Sequence, residues 1–242
     1  MTTEARVLNV AGIAVEVDRK AIKNLHLSVY PPDGRVRIAV PLRVDDDAVR
    51  LAIISRLSWI RRQCASFARQ PRQSRREMLT GESHYLWGRR YRLNVVRHTG
   101  ANGVYLRGRN VIDLYIRPGA GAARRKVVLN EWYREQLKAK IPKLTPVWEP
   151  KVGVDVAELR VKRMKTRWGT CNIEAGRVWL NLELAKKPLK CLEFVLVHEM
   201  VHLLERHHNE RFAWHMDRVM PSWRLVREEL NRLPLAHTNW TY

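Results

Sequence analysis

A chain of 242 residues with 45% hydrophobic content is long enough to bury one or two cores, which excludes a disordered or fibrous protein. No apolar run approaches the length of a bilayer crossing and no cleavable leader is legible near residue 1, so a soluble, cytoplasmic protein is expected. Lysine and arginine total 45 against 24 acids, a formal charge of +21 that favours anionic partners, while three scattered cysteines (Cys64, Cys171 and Cys191) exclude a disulfide scaffold and a paired-cysteine zinc site.

The first 40 residues read as strands. Ile13, Val15 and Val17 alternate with Ala14, Glu16 and Asp18, and Leu25, Leu27 and Val29 repeat the pattern. After Pro31-Pro32-Asp33-Gly34, Val36, Ile38 and Val40 alternate again, which predicts a hairpin. Residues 45–47, all aspartate, offer an N-cap and first-turn acids to a helix expected to run to about Ala68. Leu51, Ile54, Leu57, Trp59 and Ile60 are its expected apolar side. Residues 50–80 hold eight arginines against the single acid Glu77, and Arg160, Lys162, Arg163, Lys165 and Arg167 follow later without an acid among them. These runs imply non-specific attraction to nucleic acid, with no reader motif beside them.

Short strands are expected over 85–116, punctuated by Gly88, Asn102-Gly103 and Gly108 and closed by Pro118-Gly119. A second helix is expected over 122–140, stopped by Pro142 and Pro146. Strands over 152–163 and 177–182 flank a loop holding Arg167-Trp168-Gly169-Thr170-Cys171, and Pro188 opens the next helix. No repeat is legible. The expected class is α+β: a β-rich region with one long helix over 1–120, then a mostly helical domain with a small sheet over 121–242.

That last helix carries the chemistry. In Val195-Leu-Val-His-Glu-Met-Val-His202, His198 and His202 lie four apart, so both imidazoles share one helix face and can converge on one ion. Glu199 stands beside them, where a carboxylate can take a proton from an activated water. Leu192, Val195, Leu196 and Leu203 give the helix an apolar side for packing. A catalytic zinc site needs a third protein ligand and an open position. His207, His208 and His215 follow, with Glu205 and Glu210 as acidic alternatives. In a continuous helix His208 would lie about 240° around and ~9 Å along the axis from His202, so it reaches the ion only if the helix ends near residues 205–207. Asn209 followed by Glu210 and Arg211 reads as the cap of a new helix, consistent with that turn.

The segments 197–203 and 206–214, with Arg167-Trp168-Gly169-Thr170-Cys171 upstream, resemble the YgjP-like metallopeptidases, compact relatives of the gluzincins that are similar also to the SprT and WLM groups. The likeness extends through Trp179-Leu180-Asn181-Leu182 and Pro188, and less specifically to the Gly34 hairpin and Trp59-Ile60. It implies a zincin-like core, zinc held by His198, His202 and His208, and Glu199 as general base. Metzincins share the spacing to the third histidine, but Glu205 occupies the place of their turn glycine. The expected reaction is hydrolysis of peptide bonds in peptide or protein substrates, with one zinc ion per chain. Arg167, Lys165 and Tyr133 are candidates to stabilise an oxyanion, and Trp148, Trp168 and Trp179 are candidates to line a groove. The alternative is a non-enzymatic nucleic-acid or partner-binding protein with a structural zinc.

Overall fold

The computed structural model describes residues 6–30, 34–69, 77–164 and 167–233. The chain divides into two compact units, Met1–Pro71 and Arg72–Tyr242. In the first, β1 (Arg6–Val10), β2 (Ile13–Lys20), β3 (His26–Tyr30) and β4 (Arg35–Pro41) form a sheet in the order β1-β2-β4-β3. The outer pairs are antiparallel and the central β2/β4 pair is parallel. The expected hairpin is β3/β4; residues 31–33 of its turn lie outside the described residues. Alternation puts Val15, Val17, Val36, Ile38 and Val40 into one apolar cluster with Val49, Ile53 and Ile60. Asp18 is buried in the same sheet but is paired with Arg37 and Lys20, which together hold its carboxyl below the usual carboxylate range.

The single helix expected to reach Ala68 is two helices, α1 (Asp46–Ile54) and α2 (Leu57–Arg69). Asp45 caps the first by accepting the Ala48 N–H at 2.7 Å. At the break the Ser55 hydroxyl donates to the Ala52 carbonyl at 2.9 Å, a local alternative to helical bonding directly after two β-branched residues. The break resets the helix face. Val49, Ile53 and Ile60 are buried, whereas Leu51 and Ile54 are exposed and Trp59 is only half-covered, contrary to the expected apolar side.

The second unit begins with β5 (Ser83–Leu86), β6 (Arg89–Arg97), β7 (Gly103–Arg107) and β8 (Val111–Ile116), in the order β5-β6-β8-β7. Here too the outer pairs are antiparallel and the central pair parallel. In each sheet the first hairpin turns on two residues with positive φ, Ala11-Gly12 (51° and 80°) and Trp87-Gly88 (51° and 80°), the signature of a tight I′-type turn. Val36, Ile38 and Val40 of β4 and Ile112, Leu114 and Ile116 of β8 are all buried, so the two sheets repeat one architecture with unlike residues. No repeat is visible in the sequence because the shared property is strand register.

The helix expected to stop before Pro142 continues as α3 (Ala122–Val152), with Pro142, Pro146 and Pro150 inside it. All three prolines are exposed, spaced four apart on one stripe, while Leu129, Tyr133, Leu137 and Ile141 face inward. The missing N–H groups and displaced carbonyls therefore fall on the water side, where solvent satisfies them. The three strands β9 (Glu158–Lys162), β10 (Gly169–Asn172) and β11 (Arg177–Asn181) make a sheet in the order β10-β11-β9. Much of the expected Arg167–Cys171 loop is thus strand β10, antiparallel to β11. A 3-10 turn at Leu182–Lys186 leads to α4 (Leu189–Val201), followed by α5 (Glu210–Val219) and α6 (Trp223–Arg232).

The expected division at 120/121 is displaced to 71/72. Leu93, Ile112 and Leu114 of the β5–β8 sheet share one core with Leu129 of α3 and Leu196 of α4, so a cut at 120 would split a single apolar cluster. Six helices and three small sheets among the described residues make the class α+β, as expected.

Candidate metal centre

Helix α4 is apolar nearly all round, with Cys191, Leu192, Val195, Leu196, Val197, Met200 and Val201 buried, so it is held on every side. At its C-terminal end, His198 and His202 emerge on one face. The helix stops at Val201, the chain turns through residues 202–208, and Asn209 caps α5 by accepting the Phe212 N–H at 2.9 Å. Glu205 Oε1 accepts the His207 N–H at 3.1 Å within the turn. This reversal brings His208 back to the helix.

The Nε2 atom of His208 lies 3.0 Å from that of His198 and 3.1 Å from that of His202. Ligand atoms at about 2.0–2.1 Å in a tetrahedron stand about 3.3 Å apart, so three imidazole nitrogens converging at this spacing fit one zinc ion. Among the described residues they are the one such group of three or more metal-ligating side chains. Burial, then His202, His208 and Arg227, push the His198 imidazole down to about 3, and burial lowers His208 as well; both are held in the neutral form that ligates. His202 Nδ1 lies 3.0 Å from the Glu205 carbonyl, the kind of contact that fixes a ligand's tautomer and orientation. His207 is exposed, and neither His215 nor the acids Glu205 and Glu210 join the group.

Glu199 is 6% exposed, and desolvation raises its carboxyl to about 8 against the opposing charge of Arg167. Its neighbour is Gly169 of β10, placed so close that a side chain there would overlap the carboxylate. Gly169 has no positive φ; space, rather than backbone conformation, is what requires glycine. Asn181 holds the preceding segment: its Nδ2 donates to the carbonyls of Met164 (3.1 Å) and Arg167 (2.7 Å), and its Oδ1 accepts the Glu183 N–H.

Phe212 completes the floor. Its ring centroid is 4.9, 4.8 and 4.8 Å from those of His198, His202 and His208, and it is buried. Sequence reasoning missed Phe212 and Gly169 as site residues.

A cleft of about 1160 Å³ opens on the histidines. Trp168 and Trp179 line it, as expected; Trp148 does not and packs against the core instead. Arg167 also lines it, whereas Tyr133 is buried with its hydroxyl donating to the Tyr85 carbonyl at 2.9 Å, and Lys165 lies outside the described residues. Cys171 borders the cleft, its thiol pushed up to about 11 by burial and by Glu199.

The YgjP-like metallopeptidase domain matches residues 23–233 of this chain. No curated protein matches it. Among solved structures, the metallopeptidase zymogen abylysin of Pyrococcus abyssi is similar at 16% identity over 39% of this chain and 99% of its own, with a TM-score of 0.35, too slight a likeness to carry an argument.

Proposed function

Because the chain belongs to the YgjP-like metallopeptidase family, we propose that it is a zinc-dependent peptidase, with His198, His202 and His208 as ligands and Glu199 as general base. The observation that carries the reading is the convergence of three imidazoles beside a buried carboxylate in an open cleft. Zinc, when bound, supplies Lewis acidity that polarises a carbonyl and acidifies water.

The residues of the chain do the rest. Glu199 accepts the proton of the attacking water and delivers it to the leaving amine. Burial makes this carboxylate basic, and a cation in the triad draws its affinity for protons back toward the range a general base needs. Phe212 and the turn 202–208 hold the imidazoles in place. Arg167, on the cleft and within electrostatic reach of Glu199, is the candidate donor to the developing oxyanion.

A closed structural zinc centre would need a fourth protein ligand. Among the described residues the metal-ligating group holds the three histidines and no cysteine or acid, which favours the open, hydrolytic reading. Three free cysteines and the lack, among the described residues, of any helix long and apolar enough to cross a membrane support placement in the cytoplasm. The test is purification with metal analysis: close to one zinc per chain, and hydrolysis of a mixed peptide library that chelation abolishes and zinc restores. Full activity after complete chelation would refute the proposal.

A further inference from the structure

We propose that the metal cleft selects acidic peptide segments, read by Arg167, Arg206 and Arg227; this rests on the peptidase reading above. The three arginines come from separate places in the chain: the segment before β10, the turn between α4 and α5, and helix α6. All three line the same cleft, and all are exposed.

None of the three has an ion-pair partner among the described residues, and they are the arginines among the residues that line the cleft. Four other arginines of this unit are neutralised by acids. Arg160 and Arg177 share Glu158, Arg224 pairs with Asp217, and Arg232 pairs with Glu228. The acids lining the cleft are Glu174 and Glu199, and Glu199 is buried beside Gly169. A cleft lined by three guanidinium groups and two acids carries net positive charge and focuses positive potential on the ligand that enters it. Each presents a planar fork suited to a carboxylate. Trp168 and Trp179 add apolar walls, so the complementary ligand is an extended peptide with Asp or Glu near the scissile bond.

The test uses the full-length, zinc-loaded protein and three quenched-fluorescence peptides that differ only in flanks of Glu, Gln or Lys. The expected order of kcat/KM is Glu above Gln above Lys. Exposed pairs contribute up to about fivefold each, so the Glu and Gln peptides should differ roughly tenfold at low salt. The preference should shrink toward parity near 1 M salt, where the screening length is about 3 Å. R206Q and R227Q, made separately and checked for zinc content, should each lower the Glu-to-Gln ratio, and R227E should lower the Glu-to-Lys ratio further.

Equal cleavage of the Glu and Gln peptides, or a preference for Lys, overturns the proposal while leaving the peptidase intact. If no peptide is cut, the peptidase reading fails by itself. Anisotropy of the labelled peptides on zinc-loaded E199Q then decides the selection: tighter binding of the Glu peptide upholds it, and equal binding overturns it. Displacement of the Glu peptide by a single-stranded oligonucleotide at lower charge concentration also overturns it, in favour of nucleic acid.

Discussion

A β-carbon on Gly169 would stand 2.6 Å from Oε1 of Glu199 and 2.7 Å from its Cγ, closer than two such atoms can approach. The carboxylate therefore occupies space that only glycine leaves free on β10. Gly169→Ala must displace Glu199, the strand or both. Overpacking of this kind costs about 1–3 kcal/mol. The expected outcome is retained zinc with peptide hydrolysis reduced at least ~10-fold, since about 1.4 kcal/mol is a factor of ten in rate. Metal analysis and kcat together check it; unaltered kcat would show that Glu199 is not positioned through this contact.

The pH dependence of the metal-free protein follows from two opposed shifts. Glu199, raised to about 8, binds a proton in the folded state that it lacks when unfolded, so its contribution falls as pH rises from the ordinary glutamate value of 4.5 to about 8. His198, lowered to about 3, binds fewer protons folded than unfolded, so its contribution falls as pH drops below 6.5. The two slopes cancel between 4.5 and 6.5. Above that only Glu199 remains, and stability should drop by about 2 kcal/mol toward pH 8. Denaturant unfolding of chelated protein should show this decline, and Glu199→Gln should remove it; an unchanged slope in the variant would refute the assignment.

His208 and Asn209 separate ligation from positioning. His208→Ala removes a nitrogen that sits 3.0 Å from His198 Nε2, so zinc retention should be lost on dilution into a competing chelator. Asn209→Ala removes the cap on α5 and should cost about 1 kcal/mol of stability. Its effect on zinc affinity should be the milder one. Chelator competition on both variants checks the order, and equal affinity for His208→Ala and the parent protein would remove His208 as a ligand.

Phe212→Ala deletes the ring that touches all three imidazoles and is buried in the core. The cavity should cost about 3–5 kcal/mol. Because the ring also supports the ligands, thermal unfolding with and without zinc should show a smaller metal-induced gain in Tm than the parent. An undiminished gain would mean that the ring packs without orienting the site.

Pro146 lies in mid-helix on the solvent stripe of α3. Pro146→Ala restores one N–H donor and relieves a clash that costs up to ~3 kcal/mol in a helix interior. The variant should unfold at a higher temperature with unchanged activity. A lower Tm would show that proline's restraint on the unfolded chain outweighs its cost here.

The histidine cluster was partly legible because its members depend on local rules. The pairing of His198 with His202 follows from helical spacing, and the cap signal at Asn209 allowed the chain to turn back, but only the family resemblance singled out His208 from His207 and His215. The roles of Gly169 and Phe212 depend on which distant elements meet, and one chain read in order contains no such information. The α3 prolines misled because helix-breaking rules treat the freed carbonyls as buried or unpaired, whereas Pro142, Pro146 and Pro150 all fall on the water side. Ser55 is the reverse case, a good helix-tolerated residue whose hydroxyl finds a carbonyl and ends α1.

The two I′-type turns share their φ angles and differ in their surroundings. Nothing lies within 4 Å of a β-carbon built on Gly12, whereas one on Gly88 would meet Pro188 at 2.8 Å, and the Trp87 N–H donates to the Ala185 carbonyl at 2.9 Å. Pro188 is the N-cap of α4, so the β5/β6 tip abuts the start of the histidine helix. An epitope tag or fluorescent label spliced between Ala11 and Gly12 has open room to project. The same insertion at Trp87-Gly88 would press on the helix that carries His198, and its first casualty would be metal retention.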